Sequence, residues 1–257
     1  MIAQIAIDDS LTIQVDLSEP IDISIPINEG NKNPNCYWAE EVKFETIRSD
    51  SFVGSVAEGG SVNYQKLTLT PHGNGTHVEC YGHITDSGAT VQSQLKQFYF
   101  YAKLVTLSPE QTSTGDWVIQ MNDTLRRIEW KNIKALIIRT HPNDKSKLEH
   151  LYSGTNPPYL SEELVRFVVE QGIEHLLVDL PSLDREVDEG ALVAHRAFWG
   201  IPDEIRENAT ITELIFVPDH IPDANYLLNL QSISLEMDAA PCKPLLFSVQ
   251  KIPFPNR

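Results

Sequence analysis

Three of the chain's eight histidines fall in one twelve-residue stretch, His72-Gly-Asn-Gly-Thr-His77-Val-Glu79-Cys-Tyr-Gly-His83. Imidazole and carboxylate donors at this density suit a divalent ion such as Zn, Mn or Fe. If the stretch is extended, alternate side chains share a face, which groups His77, Glu79, Tyr81 and His83. His72 is five residues before His77, so strict alternation turns it to the other face. A bulge at Gly73-Asn74-Gly75 would absorb the extra residue. Without it, His72 misses the ion, and its place is empty or taken by Asn74. A catalytic zinc ordinarily holds three protein ligands and a water, so further donors must come from elsewhere. The competing readings are a polar loop of solvated histidines and a thiol–imidazole pair formed by Cys80 and His83. Against the thiol pair, free cysteine is more often a small buried hydrophobe.

Other polar residues have plainer explanations. Ser182 and Asp184 shape a loop or cap the helix that follows. His141 precedes Pro142 in a loop, His175 opens a buried strand as a core histidine, and His220 is solvated. Tyr37 and Trp38 end the Asn-rich loop Asn28–Trp38, where an aromatic ring either packs under the loop or faces a flat substrate.

The elements that must position these residues are mixed. Period-two alternation predicts strands at Thr12–Val15, Asp22–Ile27, Val42–Ile47 and Val62–Thr70, giving a strand-rich first half. Lys134–Arg139 and His175–Asp179 read as short buried strands. Between them Ser161–Gly172 reads as a helix, capped by Ser161, acidic at its start and closed by Gly172. That order, strand–helix–strand, implies parallel pairing. A second helix is expected at Glu189–Trp199, and strands return at Ile211–Val217, Tyr226–Leu235 and Pro244–Val249. No repeat or linker stands out among the scattered prolines, so residues 1–257 are expected to form one α/β domain.

The 257 residues carry 36 acidic and 20 Lys+Arg side chains, a formal charge of −16. That balance, without a basic cluster, argues against nucleic acid and anionic membrane surfaces as partners. No apolar run is long enough to cross a bilayer, and Met1–Val15 has no basic start for a secretory signal. Three widely spaced cysteines do not make a disulfide framework. The expected location is the cytoplasm.

The histidine-rich stretch resembles the signature H-x-G-T-H-x-D-x-P-x-H of the metal-dependent cyclase-type hydrolases, the family of kynurenine formamidase and isatin hydrolase. Gly75-Thr76-His77, Glu79 and His83 stand at matching spacing. The resemblance continues in order through Asp22-Ile-Ser-Ile-Pro26, Leu136-Ile-Ile-Arg-Thr140, Asp179-Leu-Pro-Ser-Leu-Asp184, Ala194-His195-Arg196 and Thr212-Glu213-Leu214.

Such a resemblance implies a mixed-sheet, swivelling β/β/α-like architecture, usually dimeric. The implied activity is hydrolysis of a small amide, formamide or cyclic amide by water activated on a divalent metal, Zn or Mn. His72, His77 and Glu79 would bind the ion, with His195 and Glu213 completing the site as ligands or catalytic partners. His83 would carry the proton, and Trp38 and Tyr81 would line the pocket for a small-molecule substrate. Glu79 stands where the family has Asp, Tyr81 where it has Pro, and one extra residue separates His72 from His77. These departures motivate an alternative, a non-catalytic relative that binds or assembles.

Overall fold

The computed structural model describes residues 1–253. Its main sheet contains β1 (Ile2–Asp8), β2 (Leu11–Asp16), β3 (His77–Glu79), β4 (Tyr99–Leu107), β5 (Ala135–Thr140), β6 (His175–Val178), β7 (Thr210–Glu213), β8 (Asn225–Asn229), β9 (Ala239–Pro241) and β10 (Leu245–Ile252). The spatial order is β1-β2-β10-β8-β4-β5-β6-β7-β3-β9, with the pair Ile21–Asp22 alongside β10. β4 to β7 run parallel, while β3 is antiparallel to both of its neighbours, β7 and β9.

The parallel centre follows from composition. Every residue of β5 and β6 is buried, as a continuous apolar run in a sheet covered on both faces requires. The crossover from β5 to β6 is made by α2 (Glu162–Glu170), which buries Leu164, Val165 and Val168. The Ser161 hydroxyl accepts from the Leu164 amide, and Glu162 and Glu163 occupy the positive first turn. Gly172 follows with φ of 79°, a left-handed conformation that a side chain would strain. α3 (Val193–Trp199) packs against α2 and carries His195 on its buried side.

Several expected elements shorten. In Asp22–Ile27 only Asp22 joins a strand. The rest runs extended to the site, where the Ile25 amide donates to the Thr76 hydroxyl at 2.8 Å. Val62–Thr70 contracts to Gln65–Thr68, paired with Lys43–Thr46 in an exposed two-stranded arm. α3 begins at Val193 rather than Glu189, because Glu189, Gly190 and Leu192 all have positive φ. Strand β7 stops at Glu213 because Leu214 turns left-handed at φ 54°. Tyr226–Leu235 ends as a strand at Asn229. Ile2–Asp8 and Tyr99–Leu107 are strands that the alternation did not single out, and the second lies at the centre of the sheet.

Candidate metal centre

The site lies where β3 enters the sheet beside the last parallel strand. Pairing sets Glu213 opposite His77 and Ile211 opposite Glu79. β9 closes the other edge, with Ala239 opposite Glu79. Thr76 locks the entry to β3: its hydroxyl donates to Leu214 O at 2.5 Å while accepting from Ile25. Leu214 is buried in the left-handed region directly after Glu213, a conformation costing about 1–3 kcal/mol in a bulky residue and found preferentially at functional sites.

The spacing problem at His72 is solved by a helical turn and not by a bulge. Pro71–Asn74 forms α1, with Pro71 in the first position, where its missing N–H costs nothing. One helical turn swings His72 back so that its Nδ1 lies 3.2 Å from Glu79 Oε2. Gly73 makes this possible, since a Cβ there would sit 2.4 Å from that of Ala39. Asn74 does not substitute for His72. Its side chain is spent on the Thr70 amide and Glu40 O.

The extended reading of His77–His83 fails after Glu79. His77 and Glu79 share a face of β3, but the chain then enters a 3-10 turn at Tyr81–Ile84. That turn brings His83 Nε2 back to 3.8 Å from Glu79 Oε2. It also buries Tyr81 in the main core, so Tyr81 is a packing residue and not a pocket wall. Trp38 is 69% exposed with its ring edge over Gly154. Its neighbour Tyr37 is also exposed, at 44%, and borders a small cavity with Ser182 and Asp184. Cys80 is buried, donates to Ala89 O and has its pKa pushed up to about 11 by burial, which leaves no thiolate for the Cys80–His83 pairing.

The remaining donors arrive from the second half of the chain. His195 Nε2 lies 3.2 Å from Glu79 Oε1 and 3.6 Å from Glu213 Oε1. Its Nδ1 donates to Asp184 Oδ2 at 2.6 Å. The Asp184 carboxylate also accepts the Ala194 and His195 amides, so it both orients His195 and caps the start of α3. Glu213 Oε1 accepts the Leu183 amide, while its Oε2 lies 3.4 Å from His77 Nε2. Asp238, which no motif flagged, joins the cluster from the residue before β9. Its Oδ2 accepts from His72 Nε2 at 2.9 Å and His83 Nδ1 at 3.3 Å.

The electrostatics follow from partners. Burial works against charge on His72, yet hydrogen bonds to Asp238 and Glu79 and the charges of Glu79 and Glu213 raise its pKa to about 10. Burial likewise opposes the charge of His195, and its bonds to Asp184, Glu213 and Glu79 raise it well above the ordinary range. Burial alone would raise the pKa of Glu79, but the charge of His83 and the bonds from His195 and His72 hold it well below. Asp238 is drawn down to about 2, first by its bond from His72.

This donor set fits a divalent cation. His77 donates through Nδ1 to Gly75 O, which leaves Nε2 as a bare acceptor. Among the described residues, His77 Nε2 is sealed from solvent with no hydrogen-bond partner, and Glu79 Oε2, equally sealed, has only His72 Nδ1 beside it at 3.2 Å. Burying such atoms unsatisfied costs about 1–3 kcal/mol each, so their convergence calls for a positive group between them. His72, His77 and Glu79 offer ligand atoms within 4.8 Å of one another, as do Glu79, His83 and His195. The backbone carbonyl behind His77 and the carboxylate behind His195 are the supports that fix ring orientation in metal sites.

Comparison with known proteins converges on one group. The family model described as putative cyclase matches residues 15–185. Kynurenine formamidase of Bacillus thuringiensis subsp. konkukian (strain 97-27) is 27% identical over 231 residues, covering 89% of this chain and 97% of that protein. The Bacillus anthracis kynurenine formamidase matches at the same identity and coverage. In fold, the chain is similar to a potential metal-dependent hydrolase with cyclase activity (TM-score 0.63, 20% identity, 89% of this chain and 97% of that one). It is also similar to isatin hydrolase A from Labrenzia aggregata (TM-score 0.65, 13% identity, 90% and 94%).

Proposed function

Because this chain belongs to the putative cyclase family, we propose that it is a metal-dependent hydrolase acting on the C–N bond of a small amide, formamide or cyclic amide. The observation that carries this reading is the sealed, unpartnered His77 Nε2 set among the buried Glu79 and Glu213 carboxylates. Two of the three departures that motivated a non-catalytic relative do not dismantle the cluster. α1 absorbs the extra residue, and the longer Glu79 reaches both His195 and His72.

His72, His77 and Glu79 would hold the ion, with His195 and Glu213 at its flank. When bound, a divalent ion lowers the pKa of water toward ~7 and polarises the substrate carbonyl. His83 is exposed at the mouth, with Nδ1 on Asp238 and Nε2 toward Glu79. From there its Nε2 would take a proton from the activated water and pass it to the leaving nitrogen, the general acid–base role of a positioned imidazole. Asp184 keeps the His195 ring aimed at the cluster, and Glu213 is fixed by the Leu183 amide.

Nitrogen and oxygen donors favour Zn or Mn over soft-ligand metals. The reading extends to a cytoplasmic homodimer built from one catalytic unit. Three free cysteines are compatible with a reducing compartment, and among the described residues no helix is long and apolar enough to cross a membrane. The Lys43–Thr46/Gln65–Thr68 arm exposes Val56, Val62, Tyr64 and Leu67, and a two-stranded arm is marginal in water without a surface to cover it.

The test is metal content by mass spectrometry on wild type, His77→Ala and Glu79→Ala, followed by a panel of N-formyl anilines, lactams and simple amides. Near-stoichiometric Zn or Mn, lost in both variants, with turnover of at least one panel member, is the expected result. A filled site that hydrolyses none of them overturns the reading.

A further inference from the structure

Asp238 lies outside every motif in the sequence, yet its carboxylate bonds two of the four site imidazoles. The backbone places it there: Asp238 O accepts the Cys80 amide at 3.0 Å and Met237 O accepts the Val91 amide at 2.8 Å, clamping the residue beside the end of β3. A single oxygen, Oδ2, then receives His72 Nε2 and His83 Nδ1, and the two rings stack with centroids 4.1 Å apart at 29°.

A neutral imidazole has one N–H and one lone pair, so fixing the N–H decides which nitrogen faces the site. With an ion in the site and the ring neutral, an Nε2–H on Asp238 would leave Nδ1, the nitrogen beside Glu79 Oε2, as the free one. His77 uses the opposite arrangement, its Nδ1–H on Gly75 O and Nε2 presented. With Nδ1–H on the same Asp238 oxygen, His83 presents Nε2 inward. We propose that Asp238 is a positioning residue that sets the ring orientation and tautomer of both the ligand His72 and the proton carrier His83, linking metal binding to proton transfer through one carboxylate.

This role answers the two local departures. The extra residue before His77 places His72 on a short turn rather than on the strand, and Tyr81 stands where the resemblance has a rigid proline, so neither imidazole is held by β3 itself. Asp238 supplies the missing fixture from the far side of the fold. The inference rests on the metal-centre reading above.

The experiment uses full-length protein and Zn2+ alone. Zinc affinity is measured by competition with a chelating dye for wild type, Asp238→Ala, Asp238→Asn and His77→Ala, and long-range 1H–15N NMR reads the histidine tautomers of the zinc-loaded protein. Asp238→Ala is expected to weaken zinc binding about 10–100-fold, the range for removing a group that supports a metal ligand. His83 is expected to lose its Nδ1–H form. Asp238→Asn, which keeps an accepting oxygen, should recover part of both. Wild-type affinity and tautomers in Asp238→Ala, while His77→Ala has lost zinc, would overturn this inference and leave the metal centre standing. Two zinc ions in wild type with one lost in Asp238→Ala would also overturn it, making Asp238 a ligand. No zinc on wild type would instead sink the metal-centre reading itself.

Discussion

His175 opens β6 and His195 lies in α3, and both are nearly sealed from water at 3% and 2% exposure. Their chemistry is opposite. His175 donates or accepts through Nδ1 with the Thr210 hydroxyl at 2.8 Å and packs on Phe100 with centroids 3.9 Å apart. Burial, reinforced by the charges of Arg206 and Lys134, lowers its pKa to about 3. His195 is just as buried, but its two nitrogens face Asp184, Glu79 and Glu213, and its pKa rises. Burial therefore does not decide whether a histidine is structural or functional. The number of carboxylates aimed at it does: Glu79 and Glu213 come from strand ends and Asp184 from the loop that leads to α3.

The sharpest way to test that contrast is to remove one metal-facing nitrogen. His77→Ala should reduce metal content to background and lower kcat/KM by at least about 10²–10³-fold, the scale for losing a main electrostatic stabiliser of the transition state. His175→Phe should change neither quantity. Loss of activity in both variants would break the distinction between the two regions.

Stability separates them next. In metal-free protein His195→Ala leaves Asp184, Glu79 and Glu213 buried without their shared partner. It should cost about 3–5 kcal/mol by urea unfolding, the penalty for breaking a buried ion pair. His175→Phe conserves shape and strands only the Thr210 hydroxyl, so about 1–3 kcal/mol is expected. Equal costs would mean that His195 is held by packing alone.

A smaller effect probes the fit of the site to Glu79. Shortening it by Glu79→Asp restores the residue type of the family signature but withdraws the carboxylate by more than ~1 Å, in a site requiring ~0.5 Å precision. Either the contact of its Oε1 with His195 Nε2 or that of its Oε2 with His72 Nδ1 must be given up, and metal affinity should fall about 10–100-fold in a dye competition assay. Unchanged affinity would show that His72 and His195 follow the carboxylate.

Much of this was legible in the residues. Ala135 to Ile138 and Leu176 to Val178 are apolar without alternation, so their pairing as buried parallel strands around a capped helix could be read directly. The His77, Glu79, His195 and Glu213 positions were legible through the ordered motif segments. Three features were not. The turn at Pro71–Asn74 depends on a close approach between Gly73 and Ala39, which local spacing does not encode. Tyr99–Leu107 is rich in aromatic and β-branched residues, and the signal for a central strand was there, but its alternation is masked because both faces are buried. Asp238 is an ordinary acidic residue in Met237-Asp238-Ala239, and only the pairing of β9 with β3 brings it to His72 and His83. Local pattern names the residues that carry chemistry, whereas the partners that aim them are set by long-range strand order.

The smallest effect is a pH slope, and it isolates His175 cleanly. Unfolded, its imidazole titrates near ~6.5. In the fold it stays neutral down to about 3. Above pH ~6.5 both states are neutral and its contribution is fully present. As pH falls from there toward 3, the unfolded chain takes up a proton that the folded chain refuses, and stability is lost at up to about 1.4 kcal/mol per pH unit. His195, with its raised pKa, is protonated in both states below ~6.5 and adds no slope there. Buried Asp179, whose carboxyl is raised by burial, adds an opposing slope common to both proteins, so over the window from about 6.5 to 4.5 the difference between wild type and His175→Phe reports His175. Urea unfolding of metal-free wild type across that window should show falling stability with falling pH, and His175→Phe should flatten the fall. The same slope in both proteins would mean that another buried group refuses the proton, and the contrast between the two histidines would then rest on their partners alone.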